Sequence, residues 1–274
     1  MTIKSNPWLV RSPGAPRRLR LYCFCYAGGS AANYANWQAE LSPQVEICAI
    51  ELPGRGSRFG ETPMSSLPLL TETVAREIAR NSPMPFAFFG HSLGALLAFE
   101  VARYLQHQGL PKPLHLFASG ASAPQHRSSK KKIHLLGDSE FIEELKNYNG
   151  TPPAVLAHRE LMELLLPMIR ADFALACDYD YRSGPLLDMP LTVMMGRDDD
   201  NAKGGDKTED KGAASKAEGE GEPKADGEQV TGWHKETSNA FHIEWFEGDH
   251  FYIQPQRAAV LACIREALLE TVAA

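Results

Sequence analysis

Residues 86–95 read Phe-Ala-Phe-Phe-Gly-His-Ser-Leu-Gly-Ala: an apolar β-type run passes through Gly90-x-Ser92-x-Gly94 directly into a helix-forming stretch. Two glycines flanking a serine allow a tight, strained strand-to-helix turn, which holds the Ser92 hydroxyl clear of the backbone at the C-terminal edge of a sheet. The rest of the chain follows the same alternation. β-rich runs at 19–25, 45–50, 86–90, 114–119, 191–196 and 242–246 are interleaved with helical patterns at 69–80, 93–108 and 257–271. This rhythm predicts an α/β fold with a mostly parallel central sheet flanked by helices.

Two blocks depart from it. About seventy residues separate the strand ending near Ser119 from the next convincing strand at Leu191, and they carry apolar residues at helical spacing: Leu161, Leu164, Leu165, Met168, Ile169 and Phe173. A helical insertion over residues 124–188 is expected, serving as a lid or substrate cap above the sheet, the alternative being helices that complete the core. Residues 201–229 contain no aromatic or large aliphatic side chain, six glycines, and eight acids against five lysines. A segment of that composition does not bury enough apolar surface to offset its chain entropy, and a disordered low-complexity surface loop is expected. Both blocks are read as excursions within a single domain spanning residues 1–274.

Composition removes other classes. The 28 basic and 34 acidic side chains give a formal net charge of −6, which argues against nucleic-acid binding, and no apolar stretch approaches the ~18 residues of a membrane span. Residues 1–20 carry prolines and late arginines ahead of a short apolar run, a poor signal peptide, so the expected compartment is the cytoplasm. The five cysteines are scattered without a Cys-x-x-Cys pair or zinc spacing and read as buried small hydrophobes. Nothing demands more than a monomer.

A serine hydroxyl is a weak nucleophile at neutral pH and needs a base, which in turn needs a carboxylate to orient it; in this fold the chain order is serine, acid, histidine. Of nine histidines, His234, His242 and His250 follow the last internal strands. His242 begins an alternating strand pattern and His234 lies beside the low-complexity segment, whereas His250 occupies a turn just beyond a strand and is the candidate base. The strand at 191–196 runs into Arg197-Asp198-Asp199-Asp200. Asp199 is favoured as the acid, then Asp198, then Asp200; spacing alone does not separate the three, and Asp249 is a weaker rival because it adjoins His250. An oxyanion needs two preorganised N–H donors. The backbone of Leu93 supplies one, and Ala27, in the glycine-rich loop after the first long strand, is chosen for the other. A phosphate cradle is not indicated, since neither glycine-rich nucleotide motif is present there.

Five motifs in order then carry a family resemblance: Leu21-Tyr-Cys-Phe-Cys-Tyr-Ala-Gly-Gly-Ser30, Glu51-Leu-Pro-Gly-Arg-Gly-Ser-Arg58, Gly90-His-Ser-Leu-Gly94, Leu166-Pro-Met-Ile-Arg-Ala-Asp-Phe173 and Gly248-Asp-His-Phe251. From Trp8 to the C-terminal helix the chain resembles type II thioesterases, the stand-alone editing hydrolases of nonribosomal peptide and polyketide synthesis. The resemblance implies an α/β-hydrolase fold with a helical lid that removes acyl groups from the phosphopantetheine arm of acyl or peptidyl carrier proteins. It casts Ser92 as nucleophile, His250 as base and Asp199 as orienting acid, with no metal or organic cofactor. Arg55, in the Pro-Gly-Arg signature, is not read as catalytic; a structural ion pair is favoured over a substrate contact. Cys25 stands where the family usually has proline, and the segment after Asp200 replaces a short family link. Rival readings with the same serine chemistry are a carboxylesterase or lipase and an acyltransferase; a non-catalytic carrier-protein-binding module is a rival of another class.

Overall fold

The computed structural model describes residues 6–11, 17–41, 44–127, 131–148, 150–151, 153–203 and 227–273. In chain order the elements are β1 (Leu9–Arg11), β2 (Leu19–Phe24), α1 (Trp37–Glu40), β3 (Val45–Ile50), α2 (Leu67–Asn81), β4 (Phe86–His91), α3 (Leu93–His107) and β5 (Leu116–Ser119). There follow α4 (Asp138–Lys146), α5 (Pro153–Leu156), α6 (Arg159–Cys177), β6 (Leu191–Gly196), α7 (Asp200–Lys203), α8 (Glu228–Thr231), β7 (Phe241–Phe246) and α9 (Arg257–Ala273).

One sheet in the order β1-β3-β2-β4-β5-β6-β7 organises these elements, parallel throughout except for β1. Strands β2, β4, β5 and β6 are buried along their whole length, as expected of parallel strands covered on both faces. The predicted strands recur with small shifts. Cys25 leaves the ladder, which ends at Phe24, and β5 starts at Leu116 rather than at 114 because Leu114 is spent on a single N–H bond to Phe86 O (2.7 Å). β1 was not foreseen. Its three residues pair antiparallel with β3, Leu9 opposite Ile50, and bury only Leu9.

Apolar side chains on one face of the sheet pack with α2 and α3, and those on the other with α1 and α9. The block between β5 and β6 holds α4, α5 and α6 and closes a small apolar cluster of its own, built on Ile133, Phe141, Leu145, Met162, Leu166 and Ile169. The segment expected to be a disordered loop over 201–229 falls outside the described residues for 204–226. Its two ends need correcting, because residues 200–203 form α7 and 228–231 form α8, with Ala202 and Val230 buried in the main core. Low-complexity composition hid Ala202, and Val230 lies just past the segment's end. Among the described residues no helix is long and apolar enough to cross a membrane.

Parallel register brings the strand ends together: Phe24 pairs with Gly90, His91 with Ser119, Ser119 with Met194, and Gly196 with Phe246. The loops leaving β2, β4, β6 and β7 therefore emerge on one edge, where open α/β sheets form their ligand crevice.

One buried histidine makes the fold sensitive to acid. His115 stacks on Phe117 (4.2 Å between centroids) and its Nε2 shares a hydrogen bond with Thr192 Oγ1 at 2.9 Å. Burial, followed by the charge on His242, lowers its pKa from 6.5 to about 4. The unfolded imidazole takes up a proton below 6.5 and the folded one only below about 4, so the unfolded chain binds the extra proton in between. Stability should fall as pH drops through that window, with His115 contributing on the order of 3 kcal/mol. Urea unfolding of the wild type and His115→Phe at pH 4.5, 5.5 and 6.5 should show a shallower pH slope for the variant.

Candidate active site

Ser92 sits at φ 58°, ψ −113°, the one non-glycine residue with positive φ among those described. Such a conformation costs roughly 1–3 kcal/mol and persists only where its surroundings hold it. Here they do so by leaving no room for side chains. A Cβ on Gly90 would lie 2.1 Å from the Gly94 carbonyl oxygen, and one on Gly94 would lie 2.1 Å from that of Phe24. The first turn of α3 is thus pressed onto the backbone of β2, and the Ser92 N–H donates to Ser119 O at 2.8 Å. The N–H of Leu93, in the first turn of α3, has no intrahelical acceptor.

A second pair of loops builds the acid and base. After β6, Arg197 N–H bonds to Phe246 O (2.9 Å), Asp198 N–H to Gly248 O (3.0 Å) and Asp199 N–H to Gly196 O (3.1 Å). A Cβ on Gly196 would meet the carbonyl oxygens of Gly248 and Asp249 at 2.5 Å, so the turn that carries His250 packs directly against the β6 end. This arrangement turns one of the three aspartates inward. Asp199 is 1% exposed, and its Oδ2 lies 2.7 Å from His250 Nδ1. Its Oδ1 accepts from the Asn201 N–H at 2.9 Å and from Asn201 Nδ2 at 3.0 Å. Asp198 and Asp200 are exposed, and Asp200 opens α7. Asp249 is also exposed and caps its own turn, accepting from Phe251 N–H at 2.9 Å. Asn201 carries no signal in the sequence, where it opens the low-complexity segment 201–229.

Ser92 and His250 line one cavity of about 50 Å³, together with Tyr26, Ala27, Leu145, Tyr148, Gly150, Thr151, Ile169, Phe173 and Phe251. The Ser92 hydroxyl makes no hydrogen bond to the imidazole; such contacts are often long before substrate binds. A larger chamber of about 670 Å³ shares Tyr26, Gly150, Thr151 and Phe251 with it. His234 and His242 are exposed and neither lines this cavity, His234 lying in the turn after α8 and His242 on edge strand β7.

Under the cavity floor, His91 is fully buried, with its ring 5.0 Å from that of His250. Its Nδ1 is 2.9 Å from Ser119 Oγ, which is 2.6 Å from Tyr252 OH. Burial, then the charge of His250, hold His91 well below the ordinary histidine range, so it packs as a neutral ring. The same burial pushes the Tyr252 phenol upward.

The loop after β2 is fastened by groups remote in sequence. Gly28, at φ 79°, donates its N–H to Asp172 Oδ2 at 2.8 Å, and Asp172 forms a two-pronged buried ion pair with Arg55. Burial opposes the charge on Arg55, but Asp172 outweighs it and its pKa is raised. Gly54 supplies the turn before Arg55 at φ 85°, where a Cβ would lie 2.6 Å from Pro63. Cys25, at the base of this loop, is buried, and burial pushes its thiol well above the ordinary range although Arg55 pulls the other way. Among the described residues, no group of three or more His, Cys, Asp or Glu side chains is placed to hold a metal ion.

Comparison with known proteins identifies the family. The thioesterase domain family matches residues 19–268. The gramicidin S biosynthesis protein GrsT of Aneurinibacillus migulanus is 36% identical over 249 residues, covering 90% of this chain and 88% of that one. Thioesterase PikA5 of Streptomyces venezuelae is 32% identical over 276 residues, 99% of this chain and 89% of that one. Among solved structures, the type II thioesterase BorB from the borrelidin biosynthetic cluster superposes with a TM-score of 0.80 at 32% identity, covering 97% of this chain and 99% of that one.

The contact between Gly94 and Phe24 gives a direct test of the turn. Gly94→Ala forces backbone against backbone and should destabilise the protein by on the order of 3 kcal/mol or more, read as a lowered midpoint in thermal or urea unfolding. Ala95→Gly in the same helix turn is the control, expected to lose only about 1 kcal/mol plus one buried methyl.

Proposed function

Since the chain belongs to the thioesterase family, we propose that it hydrolyses acyl thioesters on the phosphopantetheine arm of carrier proteins, with Ser92 as nucleophile, His250 as base and Asp199 as orienting acid. The observation that carries the assignment is the 2.7 Å contact between buried Asp199 and His250 Nδ1, made in the cavity that Ser92 also lines. The Asp199 carboxylate accepts the Nδ1 proton, leaving Nε2 to act as the base.

In this reading His250 Nε2 takes the Ser92 proton as Oγ attacks the thioester carbonyl. The oxyanion so formed accepts hydrogen bonds from the N–H groups of Ala27 and Leu93, the donors that end the β2 loop's approach and begin α3. Collapse breaks the C–S bond, and His250 returns the proton to the departing pantetheine sulfur. Water then enters, loses a proton to His250 and attacks the acyl-serine; the free acid leaves and Ser92 regains its proton. A thioester is already activated, so positioning and oxyanion stabilisation are the main demands on the protein.

Helices α4, α5 and α6, within residues 124–188, act as a lid. Leu145 and Tyr148 from the α4 end and Ile169 and Phe173 from α6 give the cavity beside Ser92 an apolar wall suited to an acyl chain. The relatives named for gramicidin S and borrelidin biosynthesis support a carrier-protein substrate. We take the chain to act as a monomer, and cytoplasmic location follows from the proposed carrier-protein partner.

Intact-protein mass spectrometry of an acyl-loaded carrier protein tests the proposal. Wild type should remove the acyl mass and leave holo carrier protein and free acid, Ser92→Ala should leave it in place, and Asp199→Asn should slow release by on the order of 10³–10⁴-fold. Retention of the acyl group with wild type across short and medium chains would reject the carrier-protein reading and turn the question to oxygen esters.

A further inference from the structure

Arg55 of the Pro-Gly-Arg turn and Asp172 of the Leu166–Phe173 stretch of α6 have no part in the reaction above, yet they meet at one point. Asp172 Oδ1 accepts from Arg55 Nη2 at 2.7 Å, while Asp172 Oδ2 accepts from both Arg55 Nη1 at 2.7 Å and the Gly28 N–H at 2.8 Å. Arg55 Nη1 also donates to Gly29 O at 3.0 Å. The peptide units at 28 and 29 are therefore gripped by a carboxylate on an N–H and by a guanidinium on a carbonyl. The two side chains are 5% and 1% exposed, and their fork geometry fixes orientation as well as distance. Ala27 immediately precedes the gripped pair. On the same helix, Ile169 and Phe173, three residues before and one after Asp172, line the cavity beside Ser92.

We propose that Arg55 and Asp172 are positioning residues for the reaction: they fix the backbone of Ala27 as an oxyanion donor and tie it to α6. The wall against which the acyl group rests and the donor that meets its carbonyl oxygen are thereby held in register by one helix. The two residues touch neither substrate nor the reacting atoms. A pair that served merely to dock α6 on the sheet would affect binding of every ligand alike. A pair that places an oxyanion donor acts when negative charge develops on the carbonyl oxygen, and weakens the transition state more than the ground state. The inference rests on the Ser92 reading given under Proposed function.

The test uses Asp172→Asn, which keeps an oxygen for Gly28 but loses the ionic fork, and Arg55→Lys, which keeps the charge but loses the planar fork. Three quantities are measured for each: kcat and KM on an acyl-pantetheine, the Kd of an alkyl boronic acid, which bonds to serine and presents an oxygen to the oxyanion donors, and the Kd of the amide isostere of the substrate. Loss of kcat and of boronate affinity together, by about 10–100-fold, with KM and isostere affinity held within about threefold, is expected. Equal losses for boronate and isostere, or no loss of either, would overturn the proposal and leave the pair a lid anchor. Should Asp172→Asn fail to fold, Arg55→Lys decides by the same comparison. Boronate binding that is absent from wild type, or indifferent to Ser92→Ala, would overturn the serine reading itself, an outcome distinct from boronate binding that is normal in wild type and unchanged in the Arg55 and Asp172 variants.

Discussion

The approach of α3 to β2 at Gly94 is the contact on which the geometry of the sheet edge depends. With no Cβ at Gly90 or Gly94, the first helical turn reaches the carbonyl of Phe24, and the strained Ser92 is the residue left between strand and helix. β2 and β4 are neighbours in the sheet, so the same contact fixes the end of β2, and hence the 25–29 loop, against the serine. The ladder carries the alignment onward through Ser119 and Met194 to β6 and β7, which deliver Asp199 and His250. Local strain at one residue is sustained by packing over five strands, as expected where backbone in an unfavourable conformation is over-determined by its surroundings.

Several buried polar side chains meet at that same edge. Apart from others such as Arg20, His115 and Thr192 that are buried elsewhere in the fold, Asp199, Asp172, Arg55, His91 and Ser119 are all buried close to the strand ends. Each has hydrogen-bond partners: Asn201 and His250 for Asp199, Gly28 and Arg55 for Asp172, and Tyr252 joined to His91 through Ser119. For the Arg55–Asp172 ion pair, removing one member is expected to cost about 3–5 kcal/mol, because the other is left charged without a counterpart. These side chains therefore hold the loops to a single arrangement, at the risk that any one substitution undoes it.

The sequence made visible what short-range pattern encodes. Strands buried on both faces appear as unbroken apolar runs, and the glycines about Ser92 mark the turn because no other residue fits it. The start of α2 at Leu67 rather than 69 was hidden by Pro68, which suits a first helical turn but reads as a break. β1 was too short and too exposed to show a period. Among the three aspartates after β6, spacing left the order open; what separates them is the bond from Asp199 N–H to Gly196 O, a turn geometry that composition does not express. The partnership of Asp172 with Gly28 spans 144 residues, and that of Arg55 with Asp172 spans 117, so neither motif pointed to its companion. Asn201 lay in a segment whose glycines and mixed charge concealed the short helix at its beginning.

Cys25 has a chemical consequence for a protein proposed to handle thioesters. Its sulfur lies two residues before Ala27, at the base of the loop that faces the reacting carbonyl, and a thiolate there would exchange with an incoming thioester at least as readily as serine attacks it. Burial keeps that sulfur protonated far above physiological pH, and Cys23 and Cys48, also buried, are shifted in the same direction. Because the nucleophilic form of cysteine is the thiolate, burial suppresses the reactivity of all three side chains. Desolvation thus favours the oxygen of Ser92 over the sulfur of Cys25, and a substitution that let water reach that sulfur would put an S-acylated by-product within reach.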